Sequence, residues 1–86
     1  MTDTDMAEVL LFLQALIRLD SCNPPGYEEP VARVIAQQAR QLGLETTVIP
    51  LAKGRANVIS VLRSSGHLPG LLYVGHLDTV PPSNES

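Results

Sequence analysis

His76 and Asp78, two residues apart, are the side chains of this sequence best suited to chemistry. A neutral imidazole is a common metal ligand, and a carboxylate on its second ring nitrogen fixes the tautomer and raises the basicity. In an extended segment, residues two apart point to the same side. Asp78 is therefore placed to orient His76. Gly75 lets the backbone turn closely beside an ion, and Pro81-Pro82 stiffens the exit. The pair follows the apolar run Leu71-Leu72-Tyr73-Val74. Ligands in open α/β sheets bind beyond the carboxyl ends of strands. A His-x-Asp triplet is also common in surface loops, with a solvated Asp and an ordinary His. Spacing alone leaves both readings open.

The other reactive side chains are weaker candidates. Cys22 is a conceivable nucleophile, but no base can be assigned to it, and a small turn residue is the simpler reading. His67 lies in the loop Ser64–Gly70, where a solvated imidazole is expected. Tyr73 alternates with apolar residues and reads as core. Lys53 and Arg55 flank Gly54 and either attract an anionic substrate or form a polar hairpin turn. Glu85 sits in a polar terminal stretch and is not expected to ligate.

Two helices and three strands are expected to position these residues. Met6, Val9, Leu10, Leu13, Leu16 and Ile17 make one apolar stripe over 5–19, with Asp5 and Glu8 as a capping pair at its start. Asp20-Ser21 opens a turn, and Asn23-Pro24-Pro25-Gly26 breaks the chain direction. A second helix fits 28–42. Glu28 and Glu29 suit the dipole of its first turn, Pro30 is tolerated there, and Gly43 is its stop. Its inner face is Val31, Val34, Ile35, Gln38, Ala39 and Leu42. Strands are expected at 44–50, 56–63 and 71–74, the last apolar enough to be buried on both faces. The order helix, helix, strand, strand, strand implies an α/β layered core. Two helices cannot cover both faces of such a sheet, so the core reads as incomplete.

Composition narrows the class without naming a chemistry. With 86 residues the chain makes at most one domain. One cysteine allows no internal disulfide and fits a reducing compartment. The acidic start lacks the basic region of a secretory signal. The apolar runs are too short to span a membrane. A net charge of −3 gives no support for nucleic-acid binding. A cytoplasmic location is expected.

The motifs, taken in order, resemble one family. Gly75-His76-Leu77-Asp78-Thr79-Val80-Pro81-Pro82 is similar to the first metal-site motif of the M20 metallopeptidases, whose members include acetylornithine deacetylase and succinyl-diaminopimelate desuccinylase. Ser21-Cys22-Asn23-Pro24-Pro25-Gly26 resembles the turn after that family's first helix. Glu28-Glu29-Pro30-Val31-Ala32 resembles its second-helix start, Gly43-Leu44-Glu45 its helix-to-strand step, and Gly54-Arg55-Ala56-Asn57-Val58 the strand before the metal motif. The similarity spans nearly the whole chain.

The resemblance implies a zinc-dependent, or cobalt-dependent, amidohydrolase acting on N-acyl amino acids or peptides. By the match His76 ligates one ion of a two-metal site, and Asp78 is the catalytic-site residue that supports it. The resemblance also implies that residues 1–86 are the N-terminal portion of the catalytic domain. The family's remaining ligands and its general base, a Glu, come later in its chains. Its separate lid domain, through which members often dimerise, has no counterpart here. The chain alone is therefore expected to be inactive. The alternatives are a non-catalytic fragment and a small interaction module.

Overall fold

A computed structural model describes residues 2–82. The elements are α1 (Asp3–Ile17), α2 (Glu29–Gln41), β1 (Glu45–Ala52) and β2 (Arg55–Val61). The result is a small α/β fold, with one helix laid on a two-stranded antiparallel sheet.

The first helix begins earlier than its apolar stripe suggests. Its capping box joins Thr2 and Asp5, not Asp5 and Glu8. The Asp5 N–H donates to Thr2 Oγ1 and the Thr2 N–H donates to Asp5 Oδ2, each at 3.1 Å. Cap-type residues run from Thr2 to Asp5, and the first of them satisfies the orphan donors earliest. No residue of α1 is buried. Met6, Val9, Leu10, Leu13 and Ile17 of the stripe are exposed, whereas Phe12, Ala15 and Leu16 are half-buried.

The second helix carries the core. Val31, Ala32, Ala36 and Ala39 of α2 and Ala56 of β2 are the buried apolar residues, mostly alanines, and α2 packs on both strands. Small side chains let the helix approach the sheet closely. Val34, Ile35 and Gln38 are half-buried, but Leu42, expected on the inner face, is 68 % exposed. Leu42 lies past the last regular turn, where Gly43 (φ +87°) reverses the chain. There the Gly43 N–H donates to the Arg40 carbonyl and the Leu44 N–H to that of Ala39. This is a Schellman motif, and it swings the chain directly into β1.

The two strands pair as Thr46↔Ser60, Val48↔Val58 and Pro50↔Ala56, with a register shift between Pro50 and Ala52. Thr46, Val48, Ala56 and Val58 lie on the helix side and are half-buried or buried. Ile49, Ile59 and Val61 lie on the open face. Pro50 lacks a donor, which an edge strand tolerates. The turn Lys53-Gly54 needs φ +75° at Gly54. The Tyr27 ring covers Gly54, and the Gly54 carbonyl accepts from the Glu29 N–H at 3.0 Å. The hairpin tip is thereby held against the start of α2.

The third expected strand does not form. Residues 71–74 join no ladder, and Tyr73, expected in the core, is 86 % exposed. An apolar run is buried on both faces only where neighbours cover it, and no described strand lies alongside at bonding distance. No helix among the described residues is long and apolar enough to cross a membrane.

Two outcomes follow. Replacing Gly54 with Ala should cost about 1–3 kcal/mol from the positive φ alone. The added Cβ would also overlap the Tyr27 ring. Urea unfolding of Gly54→Ala should show a lower midpoint, and an unchanged midpoint would contradict the packing. The second outcome concerns acid. The Thr2 backbone N–H first, and the Thr2 hydroxyl second, hold the Asp5 carboxyl below the ordinary Asp value. A depressed folded pKa contributes stability that is complete above the unfolded value and lost as pH falls through the folded one. The helical circular-dichroism signal should therefore decline on acidification past the ordinary carboxylate range. Asp5→Asn should remove the Asp5 component of that decline.

Candidate functional site

The site is assembled where two distant segments meet. After α1 the chain turns at Asp20–Gly26, with Asp20 Oδ1 accepting from the Cys22 N–H at 3.0 Å and the Cys22 carbonyl accepting from the Gly26 N–H at 2.9 Å. Thr79 docks on this turn. Its N–H donates to the Ser21 carbonyl at 3.0 Å, and its carbonyl accepts from the Asn23 N–H at 2.7 Å. Together these bonds make a short parallel bridge between Cys22 and Thr79.

The bridge sets three side chains in a row. Asn23 Nδ2 donates to Asp78 Oδ2 at 3.0 Å. Asp78 Oδ1 lies 3.0 Å from His76 Nδ1, and the Asp78 carbonyl oxygen lies 2.8 Å from the same nitrogen. Two acceptors facing Nδ1 assign the proton to that nitrogen. The lone pair is then left on Nε2. The His76 side chain is 84 % exposed, so that lone pair is accessible. The hydrogen bond from Asn23, and then that from His76, hold the Asp78 carboxyl below the ordinary Asp value. Asp78 is thus an anion at neutral pH, as an orienting group for imidazole requires.

His76 and Asp78 therefore stand together as their spacing suggests. The donor set fits one corner of a metal site, a histidine with its carboxylate partner. It does not fit a whole one. A catalytic zinc typically takes three protein ligands and an open position. Among the described residues no group of three His, Cys, Asp or Glu side chains could hold an ion.

The remaining candidates separate from the pair. Arg55 Nε lies 3.0 and 3.2 Å from the two carboxylate oxygens of Glu28. Glu28, expected to suit the dipole of the helix start, is buried and uses its carboxylate on this ion pair, not on a helix cap. Arg55 is therefore a tie between α2 and β2 before it is anything else. It still borders an open groove of about 510 Å³ between β2 and residues 72–78, which His76, Asp78, Asn57 and Tyr73 also line. Lys53 is exposed in the hairpin turn and His67 in the loop. Cys22 is a half-buried free thiol. Glu85 lies outside the described residues.

Asn23 and Glu28 gain roles that the sequence does not announce. Asn23 reads as part of a breaker, and its partner lies 55 positions away. The one local hint is an amide side chain in a turn whose backbone is already committed. Compared with known proteins, the chain matches no family model, no curated protein and no solved structure.

Removing Arg55 tests the tie. Arg55→Leu leaves the Glu28 carboxylate buried without a partner. The cost should be about 2–3 kcal/mol, below the roughly 3–5 of a wholly buried pair because the Arg55 side chain is itself 38 % exposed. Adding Glu28→Gln to Arg55→Leu should recover part of the loss in a urea titration. A double variant less stable than Arg55→Leu would count against the pairing.

Proposed function

We propose that this chain supplies the first metal-ligand segment of a zinc-dependent amidohydrolase of the M20 type. The observation that carries the proposal is the His76 ring, with Nδ1 held by Asp78 and Nε2 left free. That is how a metal-ligating histidine is normally prepared. The ordered motifs from Ser21 to Pro82 support the same family. The fold read in this way is the beginning of a layered zinc-hydrolase domain, whose third strand would be 71–74.

Under this proposal His76 ligates the ion through Nε2 and Asp78 holds the ring. The ion, zinc or cobalt, would supply a bound water acidified to a pKa of about 7 and a polarised carbonyl. The substrates are N-acyl amino acids or peptides in the cytoplasm, and the deacetylase and desuccinylase branch is the nearest in motif. The described residues bring one ligand, so no hydrolytic step can be built from them alone. The further ligands and the general base would come from chain beyond them.

A second reading has its own support. Residues 71–74 and all of the apolar stripe of α1 except Leu16 are exposed, which suits a small module that associates with another protein surface. A monodisperse monomer in solution would argue against that reading.

The test uses the longest product of the reading frame that contains these residues. With zinc it should hydrolyse N-acetyl or N-succinyl amino acids. His76→Ala should lower the rate by about 100-fold or more, and Asp78→Asn by about 10- to 100-fold. The 86-residue chain by itself should show no turnover. If His76→Ala is as active as the parent, the assignment of His76 fails. If no metal-dependent hydrolysis occurs in that product, the family assignment fails.

A further inference from the structure

We infer that Asn23 is a positioning residue for His76, acting through Asp78 to set which imidazole nitrogen is left free. The inference deepens the proposed metal site and rests on that reading for its use. Its geometry stands independently of it.

The carboxylate of Asp78 has two oxygens with separate duties. Oδ1 faces His76 Nδ1 at 3.0 Å, and Oδ2 accepts from Asn23 Nδ2 at 3.0 Å. A carboxylate held at one oxygen only can rotate about its Cβ–Cγ bond, because that terminal torsion is broad. Held at both, it has one orientation. Asn23 thus fixes the plane in which Asp78 presents Oδ1 to the ring. Its amide is suited to this because Nδ2 donates and carries no charge. A lysine in its place would compete with the imidazole for the anion.

The backbone keeps Asn23 in position. The Asn23 N–H donates to the Thr79 carbonyl at 2.7 Å, one residue beyond Asp78. The main chain and the side chain of Asn23 therefore grip the same short segment. These backbone bonds survive a change of side chain, so the side-chain contribution can be removed separately.

The consequence concerns the tautomer. A free neutral imidazole favours the proton on Nε2, which would block the nitrogen facing solvent. Here Asp78 draws the proton to Nδ1. Losing Asn23 Nδ2 frees the carboxylate to turn away and shifts the proton back toward Nε2. The Asp78 carbonyl, 2.8 Å from Nδ1, still favours the Nδ1–H form, so the shift should be partial.

The experiment is ¹⁵N NMR of the His76 ring in the 86-residue chain at about pH 8.5, above the usual imidazole range. The parent should show mainly the Nδ1–H form. Asn23→Leu should lower the ratio of Nδ1–H to Nε2–H by about three-fold or more, as expected for one modest hydrogen bond lost. Asn23→Asp, which keeps the shape and the turn preference but removes the donor, should lower it at least as much. Amide shifts of α2 and the hairpin report whether either variant has disturbed the fold. If Leu disturbs it, the Asp variant decides. A ratio unchanged in a folded variant overturns the positioning role, whatever the hydrolysis assay shows. A lowered ratio supports it even where no metal-dependent hydrolysis is found, in which case only the proposed function fails.

Discussion

The placement of His76 and Asp78 depends on one backbone grip. Among the described residues, the Thr79 bridge to Ser21 and Asn23 is the backbone hydrogen-bonded link from the chain beyond the hairpin back to the rest of the molecule, with side-chain links at Asp78 and Arg63 beside it. Residues 62–76 are exposed throughout and join no ladder. The bridge fixes Thr79, Thr79 fixes the neighbouring Asp78, and Asp78 fixes the His76 ring. The site is therefore only as well placed as the turn after α1. That turn is defined locally, by Asp20 on the Cys22 N–H and by Cys22 on the Gly26 N–H. An Asx-type turn of this kind forms from short-range contacts alone.

The second half of the structure rests on a different balance. The α2–hairpin core contains no large side chain that is fully buried. Its alanines release little apolar surface from water, at roughly 25 cal/mol per Å². Directed contacts therefore have more to do. The Glu28–Arg55 pair, the Glu29 N–H on the Gly54 carbonyl and the Tyr27 ring over Gly54 all join the start of α2 to the hairpin tip. The Schellman turn joins the other end of α2 to β1. The helix is clamped at both ends, and the small residues between them only have to avoid leaving a gap. The larger apolar side chains, Leu71, Leu72 and Val74 among them, lie outside this core and add nothing to its burial.

What could be read from the sequence follows the range of the forces involved. Helix stops and turns are local, so Gly43, Gly54 and the break at Asn23–Gly26 are legible from residue types alone. The hairpin strands are legible from β-branched runs. Leu71–Val74 has the same local character, but strand formation needs a partner, and partner contacts cannot be read from a run of four residues. Tyr73 and Leu42 were expected inside for the same reason: apolar character gives a preference for burial, not a neighbour to provide it. Glu28 shows the converse. A carboxylate at a helix start suits the dipole wherever it points, and only the fold reveals that it is buried against Arg55, 27 positions away. The expected cap at Asp5 missed because several cap-type residues stood in a row, and hydrogen-bond closure chose the earliest.

The His76–Asp78 pair was legible because its geometry is local. Residues two apart in an extended segment share a side, and no distant contact is needed to bring them together. The orientation of the pair is not local. A carboxylate two residues from an imidazole can face it through either oxygen and at many angles, and only some of those add to the pull of the Asp78 carbonyl on the Nδ1 proton. The Asn23 amide, arriving from the other end of the chain, removes that freedom. A short motif can thus specify which groups meet, while the fold specifies which lone pair is exposed. For a metal the second matters as much as the first, because an imidazole with its proton on the outward nitrogen is no ligand until that proton moves.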